Sequence, residues 1–100
     1  MAAITVAAKG GAMTMAAATG GGDTVAGAGT NSGGWQSPGT PVLVATVGAN
    51  STVITIDGVA QPAFISGTVV YPLPTGVYAR SVAVTYSQVV GLTVGAAVLQ

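Results

Sequence analysis

The C-terminal fifth of the chain alternates between apolar and small polar side chains. One parity carries Val82, Val84 and Tyr86, and the other carries Ala83, Thr85 and Ser87. Successive side chains of a strand point to opposite faces, so the pattern predicts a strand with one apolar face and one small polar face. The apolar parity continues through Val90, Leu92 and Val94, with Gly91 as a bend. We therefore predict a C-terminal strand pair against which the rest of the chain packs.

The N-terminal segment is rich in alanine and glycine. Residues 3–8 predict a first strand with Ile4 and Val6 on one face. Residues 12–18, A-M-T-M-A-A-A, predict a second strand whose two methionines point inward. A short helix is the alternative, because alanine and methionine favour helices. Isolated helices this short are marginal, so we favour the strand.

Residues 19–41 are dense in glycine, serine, asparagine and proline, which predicts a long loop with one short strand over 23–26. Trp35 lies within this loop. One interpretation is a hydrophobic lid that folds back over an end of the core. The other is a contact anchor, since tryptophan is enriched among the residues that dominate interface energies.

The middle of the chain gives clearer turn signals. Residues 42–47 predict a strand that is apolar on both faces, as a central strand would be. Residues 48–51 form a loop of hairpin length, and 52–56 predict the return strand. Asp57-Gly58 predicts a type I′ hairpin, because that turn requires positive φ at both central residues. The returning strand then ends at Pro62, which cannot donate to a ladder.

Residues 63–71 predict one or two short strands around Ser66-Gly67. The following segment, Y-P-L-P-T-G-V-Y, has prolines at alternate positions and is therefore predicted to be extended, as an edge or a crossover. Its large side chains, Tyr71, Leu73 and Tyr78, are suited to cap the open end of a core. The alternative is a partner-binding surface of the extended, proline-rich type.

Short strands with frequent turn signals predict a single all-β domain over residues 1–100, an antiparallel β-sandwich or jelly-roll-like barrel. Within it, residues 1–20 form a Gly/Ala-rich N-terminal segment. We consider this segment a candidate arm that reaches a neighbouring molecule.

The small number of charged residues is the feature of the composition that says most about function. Lys9, Asp23, Asp57 and Arg80 are the only charged residues, so the charged fraction is 4% and the net charge is zero. Globular domains are about 25% charged, and a net charge near zero favours association. A small secreted domain coated with threonine, serine and glycine is one explanation. We favour a protein that is bound to copies of itself or to a larger shell, because exposed apolar surface usually marks a contact.

Composition argues strongly against reactive chemistry. The chain has no histidine, cysteine or glutamate, which rules out Ser-His-Asp and Cys-His catalysis and removes the usual zinc ligands. Two basic residues cannot form a nucleic-acid surface. No apolar run of about 20 residues predicts a membrane span, and Lys9 interrupts any signal peptide core. We therefore expect no enzyme activity, no cofactor, no metal and no small-molecule substrate.

Six short motifs, taken together, resemble a known family. They are Gly22-Asp23-Thr24-Val25, Val42-Leu43-Val44, Asn50-Ser51-Thr52-Val53, Tyr71-Pro72-Leu73-Pro74, Val82-Ala83-Val84-Thr85-Tyr86-Ser87 and Gly91-Leu92-Thr93-Val94. Their order and spacing resemble the small head proteins of tailed bacteriophages, especially those of actinobacteria. The individual motifs are common strand sequences, and the resemblance runs from residue 22 onward.

The resemblance implies a virion structural protein, a capsid decoration (cement) protein on the outer surface of an icosahedral head. Its partners would be the major capsid protein and further copies of itself, as a homotrimer. The implied contact anchors are Trp35, Tyr71, Leu73 and Tyr78.

Two other functions are compatible with the sequence. A phage tail or head–tail connector subunit would assemble in rings or tubes rather than on a lattice. A secreted carbohydrate-binding or adhesin module would need an exposed aromatic platform, for which one tryptophan and three tyrosines are available.

Replacement of Trp35 by alanine is expected to lower the number of copies bound per particle, because tryptophan side chains contribute strongly to interface energies. The measurement is the ratio of this protein to the major shell protein in purified particles. Undiminished occupancy would remove Trp35 from the candidate anchors.

Overall fold

The computed structural model describes residues 3–7, 12–25, 40–74 and 81–99, and these residues contain strands and no helix. In chain order the strands are β1 (Ala3–Ile4), β2 (Val6–Ala7), β3 (Ala16–Ala17), β4 (Asp23–Val25), β5 (Thr40–Val47), β6 (Ile54–Ile56), β7 (Val59–Ala60), β8 (Gly67–Pro72), β9 (Val82–Tyr86) and β10 (Thr93–Leu99). Within these ranges, accordingly, there is no helix of a length and hydropathy that could cross a membrane.

The strands form two sheets that pack face to face, so the predicted all-β sandwich is confirmed. The first sheet has the order β1-β4-β9-β6-β7. The second has the order β2-β10-β5-β8, with β3 also paired to β10. The sheets are mixed rather than purely antiparallel, because β1 runs parallel to β4 and β2 runs parallel to β10.

The core lies between the sheets and is almost entirely aliphatic. Side chains of alternate residues point inward from each strand, as the strand period requires. The buried cluster contains Ile4, Val6, Val25, Leu43, Ala45, Val47, Ile54, Ile56, Tyr71, Leu73, Val82, Val84, Leu92, Val94, Ala96 and Val98. Full burial of one such branched side chain contributes about 1.5–3 kcal/mol.

The N-terminal strand changes sheets at Thr5. Residues Ala3–Ile4 pair with β4 in the first sheet, and Val6–Ala7 pair with β10 in the second. The predicted single strand over 3–8 is therefore divided between the sheets, although Ile4 and Val6 both point into the core. Residues 3–7 are therefore an integral part of the sandwich in this structure, rather than an arm that extends from it.

The predicted strand over 12–18 is shorter than expected, because only Ala16–Ala17 pair with β10. The prediction that Met13 and Met15 point inward is wrong. A side chain on Gly95 would meet the Thr14 carbonyl at 2.6 Å, the Met15 sulfur at 2.8 Å and Met13 Cγ at 3.3 Å. Since Val94 and Ala96 on either side of Gly95 face the core, the methionines lie over the outer face of the second sheet.

The hairpin at Asp57-Gly58 is confirmed. Both residues have positive φ, 53° and 80°, as a type I′ turn requires. The register places Ile56 opposite Val59 and Thr55 opposite Ala60. Asp57 tolerates this backbone conformation better than most side chains do, and Gly58 adopts it without strain.

Two other predicted hairpins are wrong. Residues 42–47 and 52–56 do not pair, because β5 lies in the second sheet and β6 in the first. The C-terminal strand pair is also split, with β9 in the first sheet and β10 in the second. Residues 48–51 and 87–92 therefore cross from one sheet to the other. A short polar loop can close a hairpin within one sheet or cross between two sheets, so loop length does not distinguish these connections.

The link between β7 and β8 also crosses from the first sheet to the second. After β7 an isolated bridge pairs Phe64 with Thr52, which lies two residues before β6. Ser66 and Gly67 then adopt positive φ values of 64° and 98°, and the chain enters β8 of the second sheet. The Tyr71 hydroxyl donates a 2.7 Å hydrogen bond back to the Pro62 carbonyl, which ties the two parts of this link together.

Gly95→Ala is expected to destabilise the fold by about 1–3 kcal/mol, because the added methyl group overlaps the backbone that crosses it. Gly48→Ala is the control, since a Cβ there meets nothing within 4 Å. Denaturant unfolding of both variants measures the difference. Equal midpoints for the two variants would contradict the packing of residues 13–15 over Gly95.

Candidate interaction surfaces

The described residues hold few groups that could carry chemistry. Asp57 is exposed at its turn, whereas Asp23 is buried, with 4% of its surface accessible. No cluster of three or more His, Cys, Asp or Glu side chains occurs within the described ranges.

Two of the predicted anchors lie in the core. Tyr71 and Leu73 expose only 8% and 6% of their surface. The Tyr71 ring packs edge-on against Phe64 at a centroid distance of 6.3 Å, and its burial raises the pKa of the hydroxyl above the ordinary value. In this chain they stabilise one side of the sandwich, which is the core-covering interpretation. Trp35 and Tyr78, the other two predicted anchors, lie outside the described residues.

The outer face of the first sheet is lined by small side chains. Strand register places on it Ala3, Thr24, Ala83, Thr85, Thr55 and Ala60. We call this set the Ala/Thr face. All six are exposed except Thr55, which is half-buried. The face therefore presents methyl and hydroxyl groups without charge. Sequence alternation had already assigned Ala83 and Thr85 to a small polar face, but it could not show which neighbouring strands continue that face.

Exposed large aliphatic side chains cluster in one stretch of the chain. Val59, Ile65 and Val70 are 62%, 59% and 51% exposed, and all three lie between the start of β7 and the end of β8. Val90, at the turn before β10, is 68% exposed. On the outer face of the second sheet, the hydroxyls of Thr46 and Thr68 are 2.8 Å apart and hydrogen-bonded across β5 and β8.

An open groove of about 300 Å³ lies between the N-terminal strand and residues 12–14. Its lining consists of Ala3, Ile4, Thr5, Ala7, Ala12 and Thr14. These side chains offer methyl groups and two hydroxyls. None of them can act as a general acid or base at neutral pH.

A buried carboxylate joins the turn before β4 to β9. Asp23 faces the core side of the first sheet, opposite Val84. The Tyr86 hydroxyl donates a 2.7 Å hydrogen bond to Asp23 Oδ2, and the Thr19 amide donates to the same oxygen at 3.1 Å. Burial, together with the hydrogen bond to Asp23 and its negative charge, raises the pKa of Tyr86 far above the ordinary value.

Gly22 permits the close approach of this turn to β9. Its φ is +95°, and a Cβ there would come within 3.1 Å of both Thr85 Cγ2 and the Val84 carbonyl. The motif 22–25 and the motif 82–87 are thus neighbouring strands, joined in register and by the bond from Tyr86 to Asp23. In this structure the two motifs have a structural role, and sequence analysis gave no signal that they pair.

The second buried polar side chain, Thr52, is also satisfied. Its hydroxyl donates to the Asn50 carbonyl at 3.3 Å and accepts a hydrogen bond from the Gln88 side-chain amide. Gln88 in turn accepts from the Val90 amide at 2.7 Å. This network holds the two crossing loops together at one end of the sandwich.

No protein-family model matches this chain, and comparisons with curated proteins and with solved structures give no match either.

Tyr86→Phe is expected to cost about 1.5–3 kcal/mol of unfolding free energy, because it removes a hydrogen bond to a buried charged group. Tyr71→Phe is the matched comparison. It removes a bond to a neutral carbonyl and should cost only about 0.5–1.5 kcal/mol. Denaturant unfolding at neutral pH gives both values. A larger loss in Tyr71→Phe would contradict the assigned role of Asp23 and Tyr86.

Stability is also expected to fall at alkaline pH. The folded-state pKa of Tyr86 is raised, so the unfolded chain loses this proton first, from about pH 10 upward. Its contribution is complete below that pH and declines above it by about 1.4 kcal/mol per pH unit. The pKa of Tyr71 is also raised, so this residue likewise makes the unfolding free energy fall as the pH rises. The unfolding free energy of Tyr86→Phe should fall less steeply, and an unchanged slope would contradict the assignment.

Proposed function

We propose that this chain is a virion structural protein that binds the outside of an icosahedral phage head and stabilises the shell. The observation that supports this most strongly is how little charge the chain carries, since only 4% of its residues are charged and the net charge is zero. Asp57 is the only exposed charged side chain among the described residues. Free domains carry charge to stay dispersed, so a surface of this kind is suited to a protein whose surface is covered by partners in an assembly.

The Ala/Thr face is the surface that we propose contacts the major capsid protein. Its side chains are short, so binding costs little of the rotamer entropy that long charged side chains lose, up to about 2 kcal/mol each. Its hydroxyl groups need hydrogen-bond partners once they are covered. A partner surface rich in backbone or small polar groups would meet both requirements.

Attachment to a lattice offsets the weakness of each contact. An icosahedral shell repeats the same binding site many times, and linked copies engage neighbouring sites at a high effective concentration. A modest, uncharged interface is then sufficient for stable decoration. Several linked contacts would also hold neighbouring shell subunits together.

Ala83→Lys is expected to weaken binding to heads at least tenfold, since a buried unpaired charge costs several kcal/mol and each 1.4 kcal/mol is about a factor of ten. Ala49→Lys, in the exposed loop after β5, is the matched control and should bind as the wild type does. The assay is cosedimentation of purified protein with heads that lack it. Equal binding of both variants would exclude the Ala/Thr face.

Imaging of particles with and without the protein tests the function itself. Density distributed over the whole shell is the expected result. Density confined to one vertex or to the tail would instead indicate a connector or tail subunit. Absence of the protein from purified particles would overturn the proposal.

A further inference from the structure

We propose that the free edge of β8 is a pairing surface on which β8 of a second copy docks in antiparallel orientation, extending the second sheet across two molecules. This proposal does not depend on the proposed function. β8 is the last strand on its side of the second sheet, and no described strand lies beyond it.

The hydrogen-bonding direction of each β8 residue follows from one bond. The Leu73 amide donates to the Pro41 carbonyl at 2.9 Å, one step beyond the pair of Val42 with Pro72. Residue pairs of an antiparallel ladder alternate between hydrogen-bonded and non-hydrogen-bonded. The backbone N–H and C=O groups of Tyr71, Val69 and Gly67 therefore also point toward β5. Thr68, Val70 and Pro72 therefore direct their backbone groups away from the sheet.

The same alternation can be checked across the sheet. If the odd-numbered residues of β5 direct their backbone groups toward β8, its even-numbered residues direct theirs toward β10. In β10, the backbone groups of Leu92 and Val94 must then point away from β5, toward β3. The Ala18 amide does donate to the Leu92 carbonyl, at 3.0 Å, in that register. The backbone groups of Thr68 and Val70 are thus the ones presented at the free edge.

This edge lacks the usual protection against pairing. Natural edge strands are guarded by lysine or other charges, by bulges or by proline. Here Pro72 protects only the end of the strand, and residues 58–79 contain no charged side chain. Val70 in this strand and Ile65, two residues before it, are more than half exposed. Two such edges can meet without charge repulsion and without burying a charge.

A second copy is the occupant that the edge fits best. Antiparallel pairing of a strand with itself is self-complementary about a twofold axis. With Thr68 opposite Val70 of the second copy, each such pair exchanges two hydrogen bonds, and every outward amide and carbonyl of these residues is used. The register with Val70 opposite Val70 would leave the Thr68 carbonyl facing Pro72, which has no amide hydrogen.

The pairing predicts a dimer of the full chain, which sedimentation equilibrium over a concentration series measures directly. Val70→Lys should raise the dissociation constant about tenfold, because the dimer then carries two lysine side chains close together on its outer face, and lysine on an edge strand opposes pairing. Val90→Lys is the matched control, an exposed valine in a turn away from β8, and should dimerise as the wild type does.

Amide hydrogen exchange of the wild-type protein tests the register independently of any variant. The Thr68 and Val70 amides should become protected as concentration rises, while those of Val69 and Tyr71 stay protected throughout. A monomer at every concentration would overturn the proposal. So would a trimer or larger assembly whose Thr68 and Val70 amides exchange freely, or equal association of Val70→Lys and Val90→Lys.

Discussion

The contact between two aliphatic sheet faces is the interaction on which this molecule depends. The chain has no cysteine for a disulfide, and charged groups are too few to form a network of ion pairs. Stability therefore comes from removing valine, isoleucine and leucine side chains from water. A strand that slipped by one residue would turn its apolar side chains outward, so the same burial also fixes the register of each strand.

Asp23 is the exception within that apolar arrangement. A carboxylate on the core side of a sheet is stable only when donors surround it, and the Tyr86 hydroxyl and Thr19 amide provide them. The bond from Tyr86 joins β9 to the first residue of β4, and the Thr19 amide links the preceding turn to the same carboxylate. These two hydrogen bonds to one carboxylate define how the turn at residues 19–22 sits on the sheet, where aliphatic packing alone would be less specific.

Sequence reasoning succeeded where the determining interactions are local. The period of two identified β9 and the start of β10, an apolar run identified β5, and the backbone demands of Asp57-Gly58 identified a hairpin. It failed where the choice depends on distant partners. Alternation gives the buried face of a strand but not the sheet to which that strand belongs.

The same limit applies to the candidate site. Gly95 is an ordinary glycine in sequence, and only the fold shows that residues 13–15 cross it. Tyr71 and Leu73 were suited to cap the core, with contact to a partner as the alternative, and the structure places them in the core. The Ala/Thr face could be predicted for one strand, whereas its extent depends on pairings between residues far apart in the chain.

The parallel pairing of β2 with β10 has a mechanical consequence. These strands lie near opposite ends of the chain and point in the same direction. A force that pulls the two ends apart would drag one strand past the other along its length, so their hydrogen bonds would be loaded together instead of being peeled apart one by one. Tension along the chain therefore meets resistance in the direction in which this pair is hardest to separate.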